Sequence, residues 1–208
     1  CTEDLICSVC DTVITPAAES HSGGTATCAN PAICSVCGLS YGEVDLSSHD
    51  FTDNGFCTDC NAYEPAQLVD DYYQIGNAGQ LYWFAAKVNS GSNSINGKLI
   101  ANITVNTNVL AEDGTLSDGD FRVWTPIGNG IRNYAGTFDG DDHTVSGLYF
   151  NDSSIDYVGL FGYVNGGTVQ NVGVVNSYIS GSYEVGGVVG YNYGGTVSNC
   201  YNTGTVSG

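Results

Sequence analysis

Ten side chains suited to holding a soft divalent metal recur at a fixed spacing: Cys1, Cys7, Cys10 and His21, then Cys28, Cys34, Cys37 and His49, then Cys57 and Cys60. The two full copies read Cys-x5-Cys-x2-Cys-x10-His and Cys-x5-Cys-x2-Cys-x11-His, a register that unrelated positions would not keep. Three thiolates and an imidazole match the tetrahedral preference of zinc, and a Cys-x2-Cys pair lets one tight turn supply two ligands. Four-ligand closed sites leave no position for water, so zinc held this way would be structural.

Two alternatives stay open at the level of sequence. Eight of the nine cysteines precede residue 61, and an even number also suits four disulfides, although a disulfide scaffold has no need of histidines in phase with its cysteines. The partition of ligands is open too. Each copy forms a four-ligand set, but so do His21, Cys28, Cys34 and Cys37, and Cys34-x2-Cys37 with Cys57-x2-Cys60 has zinc-ribbon spacing.

The elements that carry these residues differ sharply along the chain. Residues 1–65 are cysteine-rich with almost no periodic apolar pattern, as expected where metal replaces a core. Residues 66–208 turn to Gly, Asn, Thr, Val and Tyr in short runs, preceded by one helical stretch over Asn77 to Ser90. There Leu81, Phe84, Ala85 and Val88 form a single apolar stripe, ended by Asn89 and Gly91. A first half-buried strand is expected over Leu99 to Val105. Gly162-Tyr163-Val164-Asn165-Gly166-Gly167-Thr168-Val169-Gln170-Asn171 then reappears 28 positions later as Gly190-Tyr191-Asn192-Tyr193-Gly194-Gly195-Thr196-Val197-Ser198-Asn199. A fixed period of this size points to a solenoid whose coils stack on one another, with the helix capping one end of the stack.

Charge and composition exclude several functions. The formal net charge is −18, and Lys87, Lys98, Arg122 and Arg132 are the only strongly basic residues. Nucleic-acid binding needs clustered Lys and Arg, and adhesion to anionic lipid needs the same. No apolar run is long enough to span a bilayer, so no membrane insertion is expected. The sequence opens on a candidate ligand and stops at Gly208 inside a repeat, so we expect a piece of a longer chain, truncated at its C-terminal side and joined to further domains.

The segments Gly136-Thr137-Phe138-Asp139-Gly140-Asp141-Asp142-His143-Thr144-Val145-Ser146-Gly147-Leu148, Val158-Gly159-Leu160-Phe161-Gly162 and Gly186-Gly187-Val188-Val189-Gly190-Tyr191 resemble the GLUG-motif repeats of bacterial surface proteins. The helix followed by Trp124-Thr125-Pro126-Ile127-Gly128 is similar to the lead-in of such arrays, so the resemblance covers residues 72–208. It implies a right-handed parallel β-helix in a secreted or wall-attached bacterial protein, in a family also found beside IgA1-specific metallopeptidase domains. No activity is implied for the repeats themselves. The cysteine cassette resembles short repeats that accompany such arrays in surface proteins of anaerobic Firmicutes.

The remaining reactive groups each have a structural reading. His143 is able to serve as a base but sits in an Asp-Gly turn and matches the turn histidine of the resembled family. Asp139, Asp141 and Asp142, like Glu112, Asp113, Asp118 and Asp120, are possible calcium ligands but lack the spacing of a calcium loop. Cys200 falls 28 residues after Val172, an inward position. Tyr72, Tyr73, Tyr82, Tyr157, Tyr163, Tyr178, Tyr183, Tyr191 and Tyr193 are expected to ladder between coils or to offer stacking faces to sugars.

Two function classes follow. The first is a non-catalytic, extracellular surface module, a stalk or an adhesin for extracellular glycans or host and cell-surface proteins. The second is a carbohydrate-active hydrolase or lyase on a β-helix scaffold, for which Asp156 and Glu184, again 28 apart, are the one candidate carboxylate pair. The absence of His-Glu-x-x-His from the sequence disfavours a metallopeptidase. The non-enzymatic class is the expected one.

Overall fold

The structure is a computed structural model of the 208-residue chain. It describes residues 21–208 together with the strand backbones β1 (Leu5–Ile6) and β2 (Val13–Thr15). Cys1, Cys7 and Cys10 lie outside the described residues. The chain divides into two compact units, one of residues 1–52 and 57–62, the other of residues 53–56 and 63–208.

The first unit is made of short antiparallel hairpins. β1 pairs with β2, and β3 (Ala32–Ile33) pairs with β4 (Ser40–Tyr41) through Ala32 with Tyr41 and Ile33 with Ser40. These strands are too short to bury a core by themselves, and among the described residues of this unit Cys28, Cys34 and Cys57 are sealed.

The second unit is the expected mainly β solenoid with one helix. It begins with β5 (Gln67–Val69), β6 (Tyr72–Ile75), α1 (Ala78–Asn89), β7 (Asn96–Leu99) and β8 (Ile103–Thr104). The coils follow as β9 (Thr137–Asp139), β10 (Thr144–Ser146), β11 (Tyr149–Asn151), β12 (Phe161–Asn165), β13 (Thr168–Gln170), β14 (Gly173–Val175) and β15 (Tyr178–Ser180). The last coil holds β16 (Val189–Tyr193), β17 (Thr196–Ser198), β18 (Tyr201–Asn202) and β19 (Thr205–Ser207). The sheets run β17-β13-β9-β7-β6-β5, β18-β14-β10-β8, β11-β15-β19 and β12-β16, so strands of successive coils stack as parallel neighbours, with β5 added antiparallel to β6 at one edge. The 28-residue repeat is the register itself: Tyr163 pairs with Tyr191, Thr168 with Thr196 and Val169 with Val197.

Alternation along three-residue strands gives each coil few inward positions, and these fall above one another. Phe138 and Val169 stack in one column, Ile103, Val145 and Val174 in a second, and Phe150 and Ile179 in a third, nearly all fully buried. Phe138 packs edge-on against Phe161 at 5.1 Å between ring centroids, and Tyr134 lies 5.1 Å from Phe161. The buried polar groups are answered: Trp124 Nε1 donates to Gly159 O, the Tyr134 hydroxyl to Ile95 O, and Ser177 Oγ accepts from the Leu148 amide.

The corners between strands use left-handed backbone. Gly147 has φ +73°, and a Cβ there would lie 1.9 Å from Asn106 O. Asn171 and Asn199 adopt φ +55° and +53° at equivalent corners, where short amide side chains tolerate that region. They also link the coils, since Asn199 Nδ2 donates to Asn171 Oδ1 and Asn171 Nδ2 donates to Asp139 Oδ1.

The helix forms where the stripe predicts it. Asn77 is its N-cap, with Oδ1 accepting from the Gln80 amide, and Ser90 is its C-cap. Leu81, Phe84, Ala85 and Val88 are buried, with Phe84 against Phe138 and Tyr134, so α1 seals the apolar end of the first coil. The single strand expected over Leu99 to Val105 is instead two. The chain turns at Ile100, whose amide bonds to Ile75 O and whose side chain is 52% exposed, so that Leu99 and Ile103 both face inward from different walls of the coil.

Phe138→Ala removes a ring shared by the cap and two coils and is expected to destabilise the solenoid by about 3–5 kcal/mol, read from denaturant unfolding. Asn77→Ala, which loses the cap, is expected to cost about 1 kcal/mol in the same measurement, and Asn77→Asp, which keeps the capping oxygen but sets a carboxylate against Glu64 where Asn77 Nδ2 now donates, is expected to be destabilised as well.

Candidate metal sites

The described cysteines and histidines of the first unit converge into two groups. Cys28, His49, Cys57 and Cys60 place one ligand atom each within 4.8 Å of one another, and so do His21, Cys34 and Cys37. This grouping keeps three members of the set of His21, Cys28, Cys34 and Cys37 that spacing suggested, but moves Cys28 to a set with His49, Cys57 and Cys60 that no partition contained. It crosses the boundary between copies, because a Cys-x2-Cys pair meets the histidine that precedes it in the chain rather than the one that follows.

Local backbone explains why each pair is presented in the same way. Cys34-x2-Cys37 sits at the tip of the β3–β4 hairpin, with the Cys34 amide donating to Leu39 O and the Gly38 amide to Cys34 O. Cys57-x2-Cys60 repeats both bonds, from the Cys57 amide to Ala62 O and from the Asn61 amide to Cys57 O. Gly38 and Asn61 hold the left-handed conformation that closes this turn, at φ +74° and +57°. Amides of Val36 and Cys37 point at the Cys34 sulfur, and those of Asp59 and Cys60 point at the Cys57 sulfur. Thiolates so surrounded are stabilised as anions.

The thiols are accordingly perturbed. The amide of Ser22, then that of Cys37 and the His21 ring, bring Cys34 down to about 5. Burial works against ionisation at Cys57 but is outweighed by the Cys60 and Asp59 amides and by His49, leaving it at about 6. Cys28 is pushed up to about 12 by its hydrogen bond with Cys60, by burial and by its neighbour Cys57. Negative charge thus gathers on the Cys57 sulfur while Cys28 keeps its proton, the situation a bound cation relieves by replacing that proton.

The distances suit a tetrahedral ion. Two sulfurs about 2.3 Å from a common zinc lie roughly 3.8 Å apart, and a sulfur and an imidazole nitrogen roughly 3.5 Å apart. The Cys28 and Cys57 sulfurs are 3.5 Å apart, Cys60 Sγ is 3.4 Å from His49 Nδ1, and Cys37 Sγ is 3.6 Å from His21 Nδ1. Among the described residues no cysteine forms a disulfide, and 3.5 Å is far beyond a sulfur–sulfur bond. Cys28 and Cys57 are buried while Cys60 is exposed, so the group of four has a solvent-facing side.

The other reactive residues serve local structure. Asp156 Oδ1 accepts from the Tyr183 amide, and Val158 bridges Val185, so the turn is one residue short of 28 and Asp156 lies against Tyr183 rather than over Glu184. His143 Nδ1 lies 3.3 Å from Asn102 Oδ1 at its turn. Asp113 accepts from both the amide and the hydroxyl of Thr115, and Asp139 accepts from Asn171, Gln170 and the Asp141 amide. Asp141 is paired with Lys98 at 3.1 Å. Cys200 is half-buried against the core with its thiol aimed at backbone carbonyls, and burial raises its pKa.

Tyrosines ladder across coils. Tyr163 and Tyr191 are register partners 4.9 Å apart, Tyr157 joins both at 5.4 and 5.7 Å, and Tyr149 stacks with Tyr178. Tyr183 and Tyr193 are exposed beside this cluster, whereas Tyr82 is buried against Trp124 and Tyr73 packs on Trp83. Sequence spacing had no means of separating these groups, because the corner lengths that bring Tyr157 to Tyr163 are not periodic.

Comparison with known proteins bears on the solenoid. The chain is 40% identical over 87 residues to "Halomucin" of Haloquadratum walsbyi, an alignment covering 40% of the chain and 1% of that protein. It is 32% identical over 75 residues to a "Putative Gly-rich membrane protein" of Evansella cellulosilytica, covering 34% of the chain and 9% of that protein. The chain therefore spans a small fraction of the length of these relatives. No solved structure matches it. Residues 181–207, which contain β16 to β19 and so make up the last described coil, match the family model described as the GLUG motif, and the β-solenoid fits a GLUG-repeat protein.

Proposed function

We propose that the chain is a non-catalytic module of a secreted or cell-surface protein, in which a zinc-stapled unit accompanies a GLUG solenoid that offers a lateral binding face. The observation that carries this reading is that the reactive side chains are committed to structure. The described cysteines and histidines of the first unit are gathered into two ligand groups, one of four donors and one of three, and the carboxylates of Asp113, Asp139, Asp152 and Asp156 accept hydrogen bonds from nearby backbone amides. The relatives support a surface setting, one being named a membrane protein. A strongly acidic chain with four Lys and Arg residues also favours partners other than nucleic acid.

The face best suited to a ligand is the Tyr157, Tyr163 and Tyr191 cluster with exposed Tyr193, in which Tyr157 and Tyr163 stack at 30° between planes while Tyr191 stands edge-on to Tyr163 at 85°, an angled aromatic patch for the C–H faces of sugars. In an array of mucin glycans and plant and microbial polysaccharides, the purified chain is expected to be retained without cleaving any of them, and Tyr163→Ala with Tyr191→Ala to lose that retention. Cleavage of any polysaccharide would overturn the non-catalytic reading. Zinc is assigned to the two ligand groups as a structural ion. Chain prepared with zinc under reducing conditions is expected to hold it at Cys28, His49, Cys57 and Cys60, so that Cys60→Ser releases one ion in native mass spectrometry.

A further inference from the structure

The four strongly basic side chains of the sequence all lie in the second unit, and three of them are committed there. Lys98 pairs with Asp141 at 3.1 Å, Lys87 lies 5.1 Å from the centre of the Trp83 ring, and the Arg122 guanidinium lies 3.8 Å from the centre of the Phe56 ring. Among the described residues Arg132 is the one strongly basic group with neither an acidic partner nor an aromatic ring against it, and it is exposed.

Register fixes where Arg132 stands. Ile127 bridges Phe161 and Tyr134 bridges Val164, so residues 127 to 134 run alongside residues 161 to 164 of β12, and the surplus residues leave the wall as a loop opposite Gly162 and Tyr163. Tyr191 is the partner of Tyr163 on the other side. Asn129 closes the loop: its Oδ1 accepts from the Ile131 and Arg132 amides, and its own amide donates to Arg132 O. The loop backbone rests on the tyrosine cluster, since a Cβ at Gly130 would lie 3.4 Å from Tyr157 Cε2. Ile131 is 84% exposed, so the tip that carries Arg132 stands clear of the wall beside that cluster. Asp156, next to Tyr157 in the chain, is turned to the Tyr183 amide.

An uncommitted guanidinium on a closed loop beside aromatic rings suits a ligand that carries a carboxylate next to an apolar ring face. Arginine takes a carboxylate through two parallel hydrogen bonds, and tyrosine takes the C–H face of a sugar. We infer that this face recognises an acidic glycan, with a sugar ring against Tyr163 and Tyr191 and the sugar's carboxylate on Arg132. The remaining carboxylates of the chain do not forbid it. At physiological ionic strength exposed charges more than about 8 Å apart are largely screened, so a short-range pair at Arg132 outweighs the distant repulsion. The carboxylate is supplied by uronate units of a polysaccharide or by terminal sialic acid on a glycoprotein, and the same arginine serves for both.

This inference deepens the glycan-binding reading proposed above and rests on it. Immobilised polygalacturonate and its methyl ester, which differ only in whether the carboxylate is free, are offered to the purified chain at physiological salt. Mucin before and after sialidase treatment forms a second pair, and poly-glutamate supplies acidic groups without sugar. The chain is expected to bind the acidic member of one pair about tenfold more tightly than the neutralised member, and the pair that responds identifies the source of the carboxylate. Arg132→Ala is expected to abolish that preference without changing thermal unfolding, whereas Tyr163→Ala weakens binding of both members. Equal binding of both members of each pair, or a preference that survives Arg132→Ala, would overturn the role of Arg132 while leaving a glycan-binding face in place. Poly-glutamate bound as tightly as the acidic glycan would overturn the choice of a sugar ligand. Retention of no glycan at all would overturn the binding-face reading, and this inference with it.

Discussion

A solenoid coil must close so that each strand's N–H and C=O groups meet those of the strand below, and the geometry of the second unit follows from that requirement. Thr168 over Thr137 and under Thr196, and Tyr178 over Tyr149 and under Thr205, are instances of one closure condition. Once it is met, inward side chains land on inward side chains. The core becomes a set of columns of apolar groups at strand spacing. Corners can then vary only if the variation is absorbed before the next strand, as happens where Val158 meets Val185. The corner residues carry this burden: Asn171 and Asn199 supply both the left-handed turn and a side-chain bond to the coil beneath.

The first coil and the last described coil differ in how their apolar faces are covered. At the first coil the apolar stripe of α1 covers Phe138 and Tyr134 with Phe84, and Asn89 anchors the helix by accepting from the Gly128 amide and donating to Pro126 O. At the last described coil, Val197 and Val206 are 40% and 39% exposed, although Val169 and Ile179, their partners one coil below, are sealed. The same residue type at the same register position is therefore core in one coil and surface in the next, which shows that burial here comes from stacking and not from the coil itself.

Much of this was legible in the sequence because repetition encodes it. The 28-residue recurrence of Gly-Tyr and Gly-Gly-Thr-Val gave the register directly, and the spacing of Leu81, Phe84, Ala85 and Val88 located the helix to within a residue at each end. What eluded it depends on closure in three dimensions. Leu99 to Val105 alternates well enough to pass for one strand, and only the corner at Ile100 reveals that its two halves lie on different walls. Asp156 and Glu184 share the repeat spacing yet fall out of step because their turn is shorter by one. The cysteine cassette identified metal donors by type, but which donors meet is decided by how hairpins fold back, so the grouping of Cys28 and His49 with Cys57 and Cys60 could not be read from spacing.

The closure length has a further consequence for what the solenoid is good at. Twenty-eight residues, the step from Thr168 to Thr196, advance the stack by one strand spacing of about 4.8 Å, whereas the same residues fully extended would cover roughly 90 Å. Reach is the quantity this fold supplies most poorly. What each added coil contributes is girth, bending stiffness and another rung of outward side chains at a fixed pitch, so a ligand with a regular spacing of its own would be measured against it as against a ruler.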